Sequence, residues 1–312
     1  YNVAIGNWTM GSLTTGTHNV GVGTNVMAAN TTGDYNTAVG HIALDTLTTA
    51  DNNTAIGYNA LTATTTGAGN TAIGYNSMAV NTTGTRNVAV GNNTLDAGAT
   101  DYDNTAVGDQ ALTVNNGGDY NTAVGARALL GNTTAIENTA VGYGAGSGHT
   151  SGGSNVSVGV NTNRVATTGT GNTACGHSSL FAQTTGTGNT AIGHKAGDSI
   201  NGSNGNYNVS IVCAVENYKL TVIDVFNSGH LYNNGNSMYA RHTKFYVITE
   251  SGNSRILDRQ DEFLGGNATS AVGVPTITAS AANQVTIVTA ITSGYANYCP
   301  FGHALVISHS PF

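Results

Sequence analysis

Apolar, small and polar positions alternate in short bursts along this chain, and the bursts return at a fixed step. The unit is Asn-Thr-Ala-Val-Gly, as at 121–125. Its copies begin at Asn2, Asn19, Asn36, Asn53, Asn70, Asn87, Asn104, Asn121, Asn138, Asn155, Asn172 and Asn189, each 17 residues after the last. A broken thirteenth copy begins at Asn208, after a step of 19. An unvarying step means that every unit meets its neighbour in the same way, the mark of a stacked array. With Asn as position 0, position 1 is Thr or Val. Position 2 is Ala, apart from Gly21 and Ser157. Position 3 is Val or Ile, apart from Cys175, and position 4 is always Gly.

Alternation over positions 1 to 3 predicts a short β-strand. Positions 1 and 3 share one face, and the more apolar position 3 predicts that this face meets the core. Position 2, on the other face, admits only small side chains and implies close packing there. Gly at position 4 predicts a positive φ or a close backbone approach. Positions 7 and 8, a small residue and then Leu or Met as in Ala43-Leu44 and Ala128-Leu129, predict a second short strand closing the coil. A polar turn follows, as at Thr31 to Gly33 and Thr82 to Gly84. The expected fold is therefore all-β: a parallel β-solenoid, or β-roll, of 17-residue coils over 1–207. Twelve coils at the strand spacing of about 4.8 Å give a rod of roughly 58 Å. The Asn residues at position 0 are expected to form a ladder along it, bonding to one another or capping the turn.

A core of Leu, Val and Ile only two or three side chains wide shields poorly from water, so several chains side by side are expected, most simply three. On this reading an Asp at Val124 buries an unpaired charge and breaks its coil. Cys175, standing where other copies have Val or Ile, is expected to be a small core residue. The other two cysteines, Cys213 and Cys299, form no CxxC or metal-type spacing, and nothing in the sequence selects a disulfide between them.

Composition shifts near residue 208. Five of the 6 Phe and all 3 Pro lie beyond it. Strand-like runs at 209–215, 218–226, 244–249, 284–291 and 303–308 alternate with turn signals. They predict a small C-terminal all-β domain over 208–312, a sandwich or intertwined tip. Any helix is short, near 258–264. The whole chain has 312 residues, 43 of them Gly, with charged residues at 8% and a net charge of −7. Without a basic stripe, nucleic acid is not an expected partner. No run of about 18 apolar residues would span a membrane as a helix.

The pattern NTAVGxxALxxxTTG resembles the repeats of bacteriophage tail-fibre proteins, particularly those with a chaperone-of-endosialidase domain. It is also similar to the head β-rolls of trimeric autotransporter adhesins, which have a different period. The resemblance covers about 1–207 and implies a homotrimeric fibre, in a virion or on a bacterial surface. It departs at the C-terminus, which shows no heptads, long helix or chaperone domain.

Candidate chemistry is sparse. There is no GxSxG, Walker or zinc motif. Among Glu216, Asp224, Glu250, Asp258, Asp261 and Glu262, no spacing selects a glycosidase pair. His177 and His194, with His41 further up, share position 5. A metal on these stacked imidazoles is one reading, an exposed turn the other, since Tyr58, Tyr75, Tyr143, Asn92 and Asp109 share the position. Thr at position 1 could make an ice-binding row, but Val3, Val20, Val88 and Val156 interrupt it. Asn-x-Thr triplets at Asn7, Asn30, Asn81, Asn132 and Asn267 could mark glycosylation, but so Asn- and Thr-rich a chain generates them by composition.

The candidate ligand-binding residues are Tyr232, Tyr239, His242, Tyr295 and Tyr298, types that stack on sugars and bond hydroxyls, although aromatic residues also build small β cores. The expected function is a structural fibre, with its tip attaching to a glycan of the host cell surface and no cofactor. A bacterial trimeric adhesin or extracellular filament is the alternative, and a polysaccharide depolymerase a further one.

Overall fold

The computed structural model of the chain describes residues 1–182 and 184–197 completely, and the backbone of seven strands within 208–312. The first two thirds are a parallel β-solenoid with a 17-residue period. Its strands are β1 Val3–Ile5, β2 Val20–Thr24, β3 Thr37–His41, β4 Thr54–Ile56, β5 Thr71–Ile73 and β6 Val88–Val90. They continue as β7 Thr105–Val107, β8 Thr122–Val124, β9 Thr139–Val141, β10 Val156–Val158, β11 Thr173–Cys175 and β12 Thr190–Ile192. Each pairs in parallel with the next and in strict register, as Thr105 with Thr122 and Ala106 with Ala123. The coils are numbered 1 to 12 with these strands.

The strand's inner and outer faces are the reverse of the expectation from its pattern. Ala at position 2 points inward and is fully buried from Ala38 to Ala191. Val and Ile at position 3 point outward and are half-buried or exposed. The reason is the width of the coil. Leu or Met at position 8 reaches across from the opposite wall, as Leu44, Leu61, Leu95, Leu112 and Leu129 do, and these are at most 1% exposed. Only Ala fits against them. The core is thus Ala and Leu or Met rather than Leu, Val and Ile, and one chain shields it without partners. Cys175 is exposed on the outer face, and Val124 is 37% exposed, so an Asp there would meet solvent in the single chain.

The second wall is not a strand. Positions 5 to 9 are a turn, and the residues at 6, 8 and 16 take left-handed backbone angles, as Arg127 (φ 60), Leu129 (φ 49) and Glu137 (φ 60) do in coil 8. Left-handed angles on non-glycine residues cost about 1 kcal/mol each. They recur because in these angles the main-chain N–H groups reach carbonyls of neighbouring coils: Arg127 N to Asp109 O at 2.9 Å, Leu129 N to Ala145 O at 2.9 Å, Glu137 N to Asp119 O at 3.1 Å.

Gly at position 4 meets both expected demands. Gly125 has φ 127, and a Cβ there would lie 2.6 Å from Gly142 O of the next coil. The Asn ladder also forms. Asn121 Oδ1 accepts the main-chain N–H of Asn138 at 3.0 Å, and its Nδ2 donates to Ala135 O, near the end of its own coil, at 2.9 Å. One buried amide therefore closes its coil and fastens the next. A third register of bonds runs along the Thr-Thr turns, where Thr133 Oγ1 donates to Thr150 O at 2.8 Å.

Beyond β12, β13 Asn208–Ala214 adds to it in parallel, with Val209 opposite Thr190. The broken thirteenth copy is thus a further rung. Its other edge pairs antiparallel with β18 Gln284–Ala290, which pairs with β17 Thr276–Ser280. The strands β14 Leu220–Leu231, β15 Ser237–Glu250, β16 Asn253–Phe263 and β19 Tyr298–Ser310 form an antiparallel sheet in the order β16-β15-β14-β19. The span 258–263, where a short helix was expected, lies in β16.

Candidate functional site: the outward rows

In a solenoid every outward position becomes a row, so the candidate surfaces are rows rather than pockets. The first is apolar. Position 3 gives it Ile56, Ile73, Val124, Val141, Val158 and Ile192, each between 37% and 43% exposed. Thr or Val at position 1 lies beside it on the same face. This is the Thr row considered above for ice; it is half-buried and broken by Val.

The second row is position 5, just past the Gly bend. His41 stacks on Tyr58 with ring centroids 5.4 Å apart, and Tyr58 on Tyr75 at 5.3 Å. Beside them the position 6 amides form a ladder: Asn59 Nδ2 donates to Asn76 Oδ1 at 2.9 Å, and Asn76 Nδ2 to Asn93 Oδ1 at 3.2 Å. The rings lie face to face, so they stack on each other and present their edges outward. Further along, His177 and His194 lie 5.2 Å apart, and Ser178 Oγ bonds His177 Nδ1 at 3.0 Å. Among the described residues, no three His, Cys, Asp or Glu gather closely enough to hold a metal ion.

The third row, at position 16, carries His18 stacked on Tyr35 at 4.9 Å. Further along, Arg86 grips Asp103 with two bonds of 2.7 Å. The Arg86 guanidinium holds the Asp103 carboxyl below its usual range.

The sugar-stacking candidates fall elsewhere. Tyr239 and His242 lie on β15, in register with Gly229 and Phe226 of β14. Tyr298 opens β19, opposite Leu231. The backbone thus places Tyr239 and Tyr298 on strands flanking the end of β14. Tyr232 and Tyr295 lie outside the described residues. Of the Asn-x-Thr triplets, Asn30, Asn81 and Asn132 are buried in the coil, so their side chains are structural; Asn7 is exposed.

One buried feature shows in the repeat pattern only as a pair of departures. Asp101 stands at position 14, where the other coils have Gly, Ala or Ser, and is 2% exposed. Its Oδ1 accepts Gly117 N–H at 2.6 Å and its Oδ2 an Asn115 N–H. Gly98 leaves the room it needs, since a Cβ there would collide with the carboxylate. Burial raises the Asp101 pKa. The paired departures, Gly98 and Asp101, were the available signal.

No family model, curated protein or solved structure matches the chain.

Proposed function

We propose that this chain is a structural fibre protein, most simply a phage tail fibre, whose solenoid is the shaft and whose residues 208–312 attach to a glycan of the host cell surface. The observation that carries this reading is the axial sameness of the solenoid. The strand face repeats from coil to coil, with Val or Ile at position 3 in all but one, and each coil is fastened to the next by the same Asn amide, a design for length and stiffness. An apolar row that repeats in nearly every coil does not easily encode one specific ligand, whereas residues 208–312 gather five of the 6 Phe and all 3 Pro.

The fibre works as a homotrimer with its axis along the rod, the outward Val and Ile row providing the contact. Three tips on one shaft let weak sugar contacts act together. Tyr239, His242 and Tyr298, with Tyr232 and Tyr295, are the candidates for those contacts.

The test is binding of the intact protein to a panel of bacterial surface polysaccharides, repeated with Tyr239→Ala and Tyr298→Ala. Binding lost in those variants with the shaft still folded supports the tip assignment. Binding that survives removal of residues 208–312 overturns it, and release of new reducing ends would turn the reading towards a depolymerase.

A further inference from the structure

From coil 2 to coil 8, position 8 is Met27, Leu44, Leu61, Met78, Leu95, Leu112 and Leu129, all essentially buried. Coils 9 and 10 break this column with Gly146 and Asn163. Position 2 of coil 10 is Ser157, and position 11 of coil 9 is His149. The long apolar core runs from Met10 to Ala145, and a separate cluster holds Ala174, Leu180, Ala191 and Ala196. His149, Ser157 and Asn163 lie between them and are at most 1% exposed.

These side chains are short of partners. His149 Nε2, Ser157 Oγ and both amide atoms of Asn163 are buried without a hydrogen bond. They also lie together. Gly146 and Asn163 hold the same position in successive coils, and a Cβ on Gly146 would lie 3.6 Å from Ser157 Oγ. The His149 ring faces the main chain of Gly152 and Asn163. Where coils 1 to 8 place a Leu or Met, Gly146 places no side chain, and Leu129 Cδ2 leans in to 2.9 Å from where its Cβ would stand.

We propose that this break is a buried hydration site, in which ordered water bridges His149 Nε2, Ser157 Oγ and the Asn163 amide, and that it is where acid opens the solenoid. A site needs two to four polar partners and about 30 Å³ to hold one water; the part of the omitted Leu's room that Leu129 Cδ2 does not take is the space proposed for it, and the orphaned atoms are the partners. The set mixes donors and acceptors, which suits water. An anion would face Asn163 Oδ1, and a metal ion would find no carboxylate or thiolate. Left dry, each orphaned group would carry its full desolvation cost.

The acid response follows from the surroundings of His149. Burial holds its imidazole down to about 4, and no charged side chain acts on it. Its side-chain partner is Asn155, 3.4 Å from Nδ1, and Asn132 and Ala166 occupy its position in the coils on either side. The main chains of Gly152 and Asn163 favour the cation, but burial outweighs them. With a pKa near 4 closed and near 6.5 open, the ring takes up a proton only on opening between those values. Opening therefore grows easier as pH falls below 6.5 and levels off below 4; at pH 5 it is favoured about thirty-fold over pH 7.5.

The experiment is hydrogen exchange on the intact protein at pH 7.5 and 5, corrected for intrinsic rates, together with a high-resolution crystal structure. The expected result is an acceleration of about thirty-fold confined to coils 9 and 10, with water density against Ser157 Oγ and Asn163. His149→Asn is the control, since Asn132 occupies that position one coil earlier; it should fold and lose the acid response. Acceleration that is uniform along the shaft, or that persists in His149→Asn, overturns the acid opening. A dry cavity, or one filled by neighbouring side chains, overturns the hydration site.

Discussion

At the scale of single residues, two positions carry the stacking and can be tested apart. Asn121 and Gly125 both sit in coil 8 but act through different physics. Asn121→Ala leaves the main-chain N–H of Asn138 buried without an acceptor, while Ala135 O still receives Asn132 Nδ2 at 3.0 Å. One stranded donor sets the cost at about 2 kcal/mol, read as a lowered denaturation midpoint. Gly125→Ala keeps every hydrogen-bonding group but forces a Cβ towards Gly142 O at φ 127. Strained backbone and overlap together should cost about 3 kcal/mol. If Gly125→Ala unfolds at the same denaturant concentration as the unsubstituted protein, the bend is not the tight approach described.

At the scale of the element, the coil shows what the repeat pattern could and could not disclose. The period, the parallel strand, the Asn ladder and the Gly bend were legible because each is one residue type at one offset. The inside of the strand was misread because hydrophobicity ranks Val above Ala, whereas the width of the coil admits only Ala opposite Leu. The second wall was misread as a strand for a related reason. Small-Leu pairs fit a strand equally well, and nothing in Leu44 or Leu129 announces a left-handed angle. The residues at position 6 are more open in this respect, since Asn25, Asn59, Asn76, Asn93 and Asn161 hold it and Asn tolerates that angle. Coil 7 has Gln110 there, φ 57, directly after the rung that ends the Asn59–Asn76–Asn93 amide ladder. Gln110→Asn should extend that ladder by one rung and relax the backbone, stabilising by about 0.5 kcal/mol. Thermal melting checks it, and an unchanged or lower midpoint counts against an additive ladder. The sugar-stacking candidates beyond residue 208 stay the least legible, because aromatic residues among β-strands serve core and ligand alike.

At the scale of the whole molecule, the reversal of the strand's faces changes the case for assembly. One chain already buries its Leu and Ala, so a thin core no longer argues for partners. The argument moves to the outer face, where an apolar side chain recurs at position 3 in every coil but that of Cys175. A long, half-buried to exposed apolar row is the kind of surface that other chains cover. Val124→Asp separates the two arguments. At 37% exposure the new carboxylate would sit in solvent on a lone chain and cost no more than about 0.5 kcal/mol. Between chains it would be a buried, unpaired charge, repeated by each copy. The expected outcome is that the unsubstituted protein sediments as a trimer at micromolar concentration, while Val124→Asp sediments as a monomer or weakened trimer and keeps the β-sheet circular dichroism of the shaft. An unsubstituted protein that is monomeric there removes the trimer. A Val124→Asp protein that loses its β signal as a monomer would show instead that position 3 belongs to the fold of the single chain.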